Sequence, residues 1–248
     1  DNFWQDHNIL SAGWEINEHW ASTATLHYTY GYGFYEEFRY NNKLSKFGMT
    51  YYNPDGSQVK KTDFVRKKGL RQDTYGMLWY TNYKNEKWNV IGGLSLQGFN
   101  GNHFGYVTYI ANNDVANKYL ANGSYKYYDS DASKFDGSFF TKATYSITDN
   151  WSVFGDLQYR HVNYKTNGIN DKFYDDESGY YNQELNINEN YDFFNPKGGL
   201  SWNMDGHNAF ASVAMSHREP ERNNFTDNGS YPYPKPEQLI DYELGYNY

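Results

Sequence analysis

Alternation of apolar and polar residues dominates this chain. In 150–160, Trp151, Val153, Leu157 and Tyr159 share one parity while Ser152, Asp156, Gln158 and Arg160 share the other. A period of two places such sets on opposite faces of a β-strand. The split recurs at 87–98, where Trp88, Val90, Leu94 and Leu96 oppose Asn89, Ser95 and Gln97, and at 194–204, where Phe194, Leu200 and Trp202 oppose Asn195, Lys197, Ser201 and Asn203. At 239–248, Ile240, Tyr242, Leu244, Tyr246 and Tyr248 oppose Asp241, Glu243 and Asn247. Apolar stripes at helical spacing are missing, so the pattern predicts an all-β chain of nine strands in an antiparallel up-and-down meander.

The connections alternate in length. Short turns fall at Asn17-Glu18-His19, Asn85-Glu86, Thr148-Asp149-Asn150 and Asp205-Gly206, the lengths tight hairpins favour. Long polar connections fall between them, at about 37–71, 104–133, 167–190 and 219–237. Consecutive antiparallel strands reverse direction, so the sheet has short turns at one end and elaborate loops at the other. With those turns, Ile16 shares a face with Trp20, Tyr83 with Trp88, Ile147 with Trp151 and Trp202 with Ala209.

Trp14, Trp20, Trp88, Trp151 and Trp202, five of the seven tryptophans, lie beside a short turn on the apolar face. Indole prefers the boundary between hydrocarbon and water, so this row is expected to form a membrane-interface girdle. The rival reading is cross-strand packing inside a soluble, secreted sandwich that binds glycans through its aromatics. Strands of roughly 12 to 16 residues exceed the usual sandwich strand and favour a transmembrane barrel.

Composition narrows the class. Hydrophobic residues reach only 38% while aromatics reach 21%, so the apolar surface is carried on rings. There is no cysteine, which removes disulfides, thiolate metal sites and cysteine nucleophiles. A net charge of −8 without a long Lys/Arg block argues against a nucleic-acid partner. No stretch approaches the roughly 20 apolar residues of a spanning helix, and residues 1–20 lack the order of a signal peptide. A β-barrel escapes the first criterion because it spans with alternating residues. An odd number of strands with unpaired ends cannot close an even-stranded barrel, so the chain is expected to be a piece of one.

Several runs in order resemble a known family. Phe193-Phe194-Asn195-Pro196-Lys197-Gly198-Gly199-Leu200-Ser201-Trp202, Ala209 to Ser212, His217 to Phe225 and Pro236 to Tyr246 are similar to the barrel of TonB-dependent outer-membrane receptors of the Bacteroides type. Gly101 to Thr108 and Tyr128 to Ala132 extend the likeness over nearly the whole chain. The resemblance implies nine strands of a barrel of about 22, in the bacterial outer membrane. It also implies uptake of an iron chelate (siderophore), cobalamin or a glycan, driven by TonB through a plug. Plug and TonB-contacting segment are not found among residues 1–248. Expected partners are outer-membrane lipid, TonB through that missing region and a small nutrient ligand, with no cofactor. A passive porin-like barrel is the rival within the class.

Arg218, Glu219, Glu221 and Arg222 sit where the eighth strand enters a long loop. They suit a polar rim contacting an anionic ligand, since Arg binds carboxylate or phosphate with two parallel bonds. They equally suit an ion-pair network ordering the loop, which Pro220 favours by stiffening the turn. Tyr30, Tyr32, Tyr35, Tyr51, Tyr52, Tyr106, Tyr109, Tyr125, Tyr127 and Tyr128 crowd the loop end, to stack on a flat ligand or to form an outer girdle. Tyr32, Tyr35, Tyr106 and Tyr109 are the ligand candidates among them. Asp129 and Asp131 alternate like the start of a calcium loop, but Lys134 stands where a glycine is needed and the closing glutamate is missing, so no metal is expected. Asp171, Asp175, Asp176 and Glu177 form a second acidic cluster that is equally a solvated charge run. The seven histidines are dispersed, and no nucleophile elbow, zinc-protease or phosphate-loop motif occurs, so no enzyme is expected.

Overall fold

The computed structural model describes residues 1–176, 179–229 and 231–248. Nine antiparallel strands pair in sequence order into one open sheet. They are β1 (Asn2–Glu15), β2 (Trp20–Lys43), β3 (Lys61–Lys84), β4 (Trp88–Ile110), β5 (Tyr125–Ser146), β6 (Trp151–Asp176), β7 (Gly179–Met204), β8 (His207–Arg218) and β9 (Glu237–Asn247). Two short helices, α1 (Asn113–Tyr119) and α2 (Arg222–Thr226), lie in the connections.

The short turns fold through a shared device. Asn17 Oδ1 accepts from the backbone N–H of His19 and Trp20, Asn85 Oδ1 from Lys87 and Trp88, and Thr148 Oγ1 from Asn150 and Trp151. An Asn or Thr side chain thereby replaces a backbone acceptor and fixes the tryptophan that opens the next strand. The fourth turn uses Asp205 and Gly206 at φ 48° and 82°, the left-handed pair that a two-residue hairpin needs.

Register then sorts the faces. Trp88, Tyr145, Val153, Leu200, Ala211 and Leu244 form one rung across six strands, while Lys142, Asp156, Lys197, Ala214 and Asp241 form a rung on the opposite face. At the turn level Trp20 meets Tyr83 at 4.8 Å, Trp88 meets Tyr145 at 4.6 Å and Trp151 meets Trp202 at 6.3 Å between ring centroids. Trp14, Trp20, Trp88 and Trp151 are 46, 42, 43 and 43% exposed, and no second sheet covers their face among the described residues. That excludes the sandwich, in which these indoles would be buried.

A second aromatic row lies higher on the same face. Tyr28 donates to Asp73 and Tyr159 to Asp192, each at 2.6 Å, with Tyr75 and Phe135 alongside. From Trp20 to Tyr28, or Trp151 to Tyr159, the strand climbs roughly 26 Å along its axis. Tilted at about 40°, that spans about 20 Å, most of the apolar band of about 25 Å expected of a membrane barrel.

The strands run well past this band. β2, β3, β6 and β7 have 24, 24, 26 and 26 residues, so most of the polar stretches expected as loops at 37–71, 104–133 and 167–190 are strand. Above a bilayer both faces meet water, so polar residues on both sides suit a ladder that satisfies its own backbone. What remains as connection, 44–60 and 111–124, folds back onto the polar face. There Leu44, Phe47, Met49, Phe64, Val107, Ile110, Val115, Tyr127 and Tyr128 form the main core. A smaller core joins Phe225 of α2 to Leu185 and Ile187.

The polar face is concave. Lys68 on β3 reaches Asp171 on β6 at 2.5 Å, although three strand spacings on a flat sheet separate strands by about 14 Å. Likewise Lys134 on β5 reaches Glu219, beyond the end of β8, at 2.5 Å.

Candidate functional site

The concave wall and Arg222 of α2 border an open cavity of about 610 Å³. Phe3, Tyr35, Lys68, His103, Tyr128, Asp171 and Arg222 line it. Strand parity aims the first five inward. The ring of Tyr128 lies flat over Gly105, where a Cβ would stand 2.1 Å from its Cε1, so this approach requires glycine. Arg222 enters from α2, held by its Nη1 donating to Thr166 at 3.0 Å and Nη2 to Ser130 at 3.3 Å.

Asp171 ties the cavity to the wall. It accepts from Lys68 at 2.5 Å and lies 3.5 Å from Arg66, whose Nε and Nη2 both reach Glu37 Oε1. A second recess of about 330 Å³ shares Asp171 and is lined by Arg39, Lys46, Arg66 and Lys172. The vestibule therefore gathers cations in a chain whose net charge is −8. Burial, reinforced by the neighbouring charges of Arg222 and Lys68, pushes the His103 imidazole down to about 4. Burial raises the Tyr128 phenol, and the nearby Asp171 carboxylate raises it further. Both rings are neutral at physiological pH. They offer hydrogen bonds beside two fixed positive charges.

Glu219 anchors the β8–β9 connection. Arg160 donates to it through Nη1 at 2.8 Å and Nη2 at 3.0 Å while also pairing with Asp136, and Lys134 donates to Oε1, the oxygen that also accepts from Nη2. Burial alone would raise the Glu219 carboxyl, but Arg160 and Lys134 outweigh it and hold the group at about 2.

The residues singled out in the sequence take different places. Glu219 joins the wall network and Arg222 reaches the cavity. Arg218 pairs with Glu237 at 2.9 Å on the exposed side, and Glu221 caps α2. Tyr35 faces the cavity. Tyr32, Tyr106 and Tyr109 project from the convex face, with Tyr32 stacked on Phe104 at 6.3 Å. Tyr127 and Tyr128 are buried in the core. Asp129 and Asp131 also face outward and both accept from the Asn102 amide, with Asp129 paired to Lys126. Of the second acidic cluster, Asp171 is the cavity residue described above, while Glu177 and the side chains of Asp175 and Asp176 lie outside the described residues. Lys68, His103, Arg160 and Lys134 were not singled out. Their signal is parity carried into the polar half of each strand, where Arg66 and Lys68 fall on the inward positions.

An open, membrane-spanning antiparallel sheet with a cationic outer vestibule on its concave side defines a piece of an outer-membrane barrel. The whole chain, residues 1–248, matches the family model described as TonB dependent receptor-like, beta-barrel, and the chain belongs to that family. Its site of action is the outer membrane. Solved structures share the fold. The copper transporter OprC superposes with a TM-score of 0.70 at 12% identity, over 99% of this chain and 36% of that one. The ferric-catecholate import receptor Fiu of E. coli K12 does so with 0.62 at 13%, over 98% and 38%. The ferric yersiniabactin uptake receptor FyuA of Yersinia pestis gives 0.59 at 13%, over 98% and 33%. This chain thus spans about a third of the length of these structures. No curated protein matches it in sequence.

Proposed function

We propose that residues 1–248 form part of the wall and outer vestibule of a receptor that captures an anionic metal chelate of the siderophore type for TonB-driven uptake. The observation that carries this reading is the cavity where Lys68 and Arg222 converge beside Tyr35 and the neutral rings of His103 and Tyr128. Fixed cations bind carboxylate or catecholate oxygens, and aromatic faces stack on a flat chelate. No bond is made or broken, so no enzymatic step is needed.

The plug and the segment that meets TonB belong to sequence outside these residues in this reading. The Bacteroides type is supported by sequence likeness only, in the runs 193–202, 209–212, 217–225 and 236–246, with 101–108 and 128–132.

The test is equilibrium binding of ferric chelates to the full-length receptor. Anionic carboxylate and catecholate chelates are expected to bind, and neutral ones of equal size to bind at least about ten-fold more weakly, the loss given by one charge-assisted contact. Arg222→Gln and Lys68→Gln should erase that preference. Equal binding of neutral and anionic chelates sinks the proposal.

A further inference from the structure

Asp171 faces the concave side against the alternation of its own strand. Trp151, Val153, Leu157 and Tyr159 place the odd positions of β6 on the outer face, and plain alternation would send Asp171 the same way. The ladder slips first. Ile169 pairs with Glu184 and Phe173 with Asn182, so the step between them covers four residues on β6 and two on β7, and Gly168 at φ 108° precedes the slip. An insertion of this kind re-aims the side chain at its middle.

The slipped segment is pinned on both sides. Asn170 Nδ2 donates to Gln183 at 2.9 Å, and the Asn182 amide donates to the Asn170 carbonyl at 3.1 Å. Lys172 donates to the Thr226 carbonyl and to Asp227, each at 2.9 Å, which ties the segment to the end of α2, the helix that carries Arg222. Asp171 and Arg222 therefore share one mount.

The two cavity cations differ in what already holds them. Arg222 donates to the neutral hydroxyls of Thr166 and Ser130, and no carboxylate pairs with it among the described residues. Lys68 is covered. Asp171 Oδ2 sits 2.5 Å from its Nζ, with side chains only 24 and 21% exposed, so water screens the pair in part and an anionic group reaching Lys68 has to take the place of the carboxylate. Asp171 has a second partner to turn to. Its Oδ1 lies 3.5 Å from Arg66 Nη1, on the side of the recess where Arg39, Lys46, Arg66 and Lys172 stand together.

We propose that Asp171 is a built-in competitor for the anionic groups of the ligand and thereby sets how many of them the vestibule demands. A single anionic group is taken by Arg222 and leaves the pair of Lys68 and Asp171 intact. A ligand that brings a second one displaces Asp171 from Lys68 and releases it to Arg66, and only such a ligand holds both cations. The inference rests on the vestibule reading and narrows its substrate class from anionic chelates to polyanionic ones.

The test is equilibrium binding of three ferric probes to the full-length receptor: a neutral trihydroxamate, the same chelate carrying one carboxylate, and a trianionic tris-catecholate. Asp171→Asn keeps the size of the side chain and removes the competing charge. It is expected to tighten the tris-catecholate about ten-fold and the monocarboxylate by less than about two-fold, each against its own wild-type value. In the Lys68→Gln background there is nothing to compete for, so the gain from Asp171→Asn should vanish. Should Asp171→Asn fail to fold, Asp171→Ser carries the same expectations. Equal gains for both anionic probes, or a gain that survives in Lys68→Gln, would show a carboxylate that merely repels negative charge and overturn the proposal. Wild type that binds all three probes alike overturns the vestibule reading with it, whereas wild type that prefers the anionic probes and gains nothing from Asp171→Asn overturns this inference alone.

Discussion

Arg160 and Glu219 form a forked pair, Nη1 to Oε2 at 2.8 Å and Nη2 to Oε1 at 3.0 Å. The pair joins the inner wall at β6 to the segment that leaves β8 and carries Arg222 into the vestibule. Side-chain exposures of 20 and 10% place it where water screens it only partly.

Glu219→Gln is therefore expected to loosen the β8–β9 connection at a cost of about 2 kcal/mol, the scale of charge-assisted bonds at a half-buried site. Hydrogen exchange of the amides in 219–229 should accelerate while that of the β6 amides stays slow. Unchanged protection in 219–229 would show that the pair does not hold the segment.

The same carboxyl predicts an acid response. Its folded value of about 2 lies below the ordinary carboxylate value, so its contribution is present above about 4.5 and is lost as pH falls toward 2. Protease nicking within 219–229 should rise across that window in the wild type and be flat in Glu219→Gln.

His103 responds with the opposite consequence for binding. Free, it stays neutral down to about 4. An anionic chelate beside it offsets Arg222 and Lys68 and raises that value, so the bound state holds more proton and affinity grows as pH falls toward 4. Each unit by which the chelate raises His103 gives about ten-fold in affinity. Binding isotherms from pH 7.5 to 4.5, restricted to chelates that do not titrate there, should steepen in the wild type and lose the slope in His103→Asn.

The face assignment is testable in the lipid band. Leu157→Arg places a charge outward, at a position 46% exposed, and is expected to destabilise the full-length barrel in lipid vesicles by about 2–4 kcal/mol. Gln158→Arg, one residue on and facing the lumen, should cost little. Equal costs in denaturant titrations would reverse the faces.

The turn device predicts a smaller effect. Asn85→Ala removes the acceptor for the Lys87 and Trp88 amides and should cost about 1–2 kcal/mol, with Glu86→Ala near zero. Matching losses at the two positions would deny the side chain its role.

Much of this was legible in the linear chain. Alternation at 150–160 and 239–248, the four tight turns and the tryptophans beside them determine strands, faces and the turn end of the sheet, because a period of two and a hairpin are local properties of backbone and side chain. The length of the strands was less visible. Beyond the lipid band both faces meet water, so 37–43 and 61–71 lose the apolar signal while keeping the ladder.

The vestibule belongs to tertiary structure. Lys68 and Asp171 are more than a hundred residues apart and meet because the sheet curves across four strands and β6 bends at its tip. Parity along β2 separates Tyr35, aimed at the cavity, from Tyr32, and the register of β3 with β4 puts Tyr106 on the side of Tyr32. Composition cannot distinguish those tyrosines. Only the register, added strand by strand, decides which side of the wall each one faces.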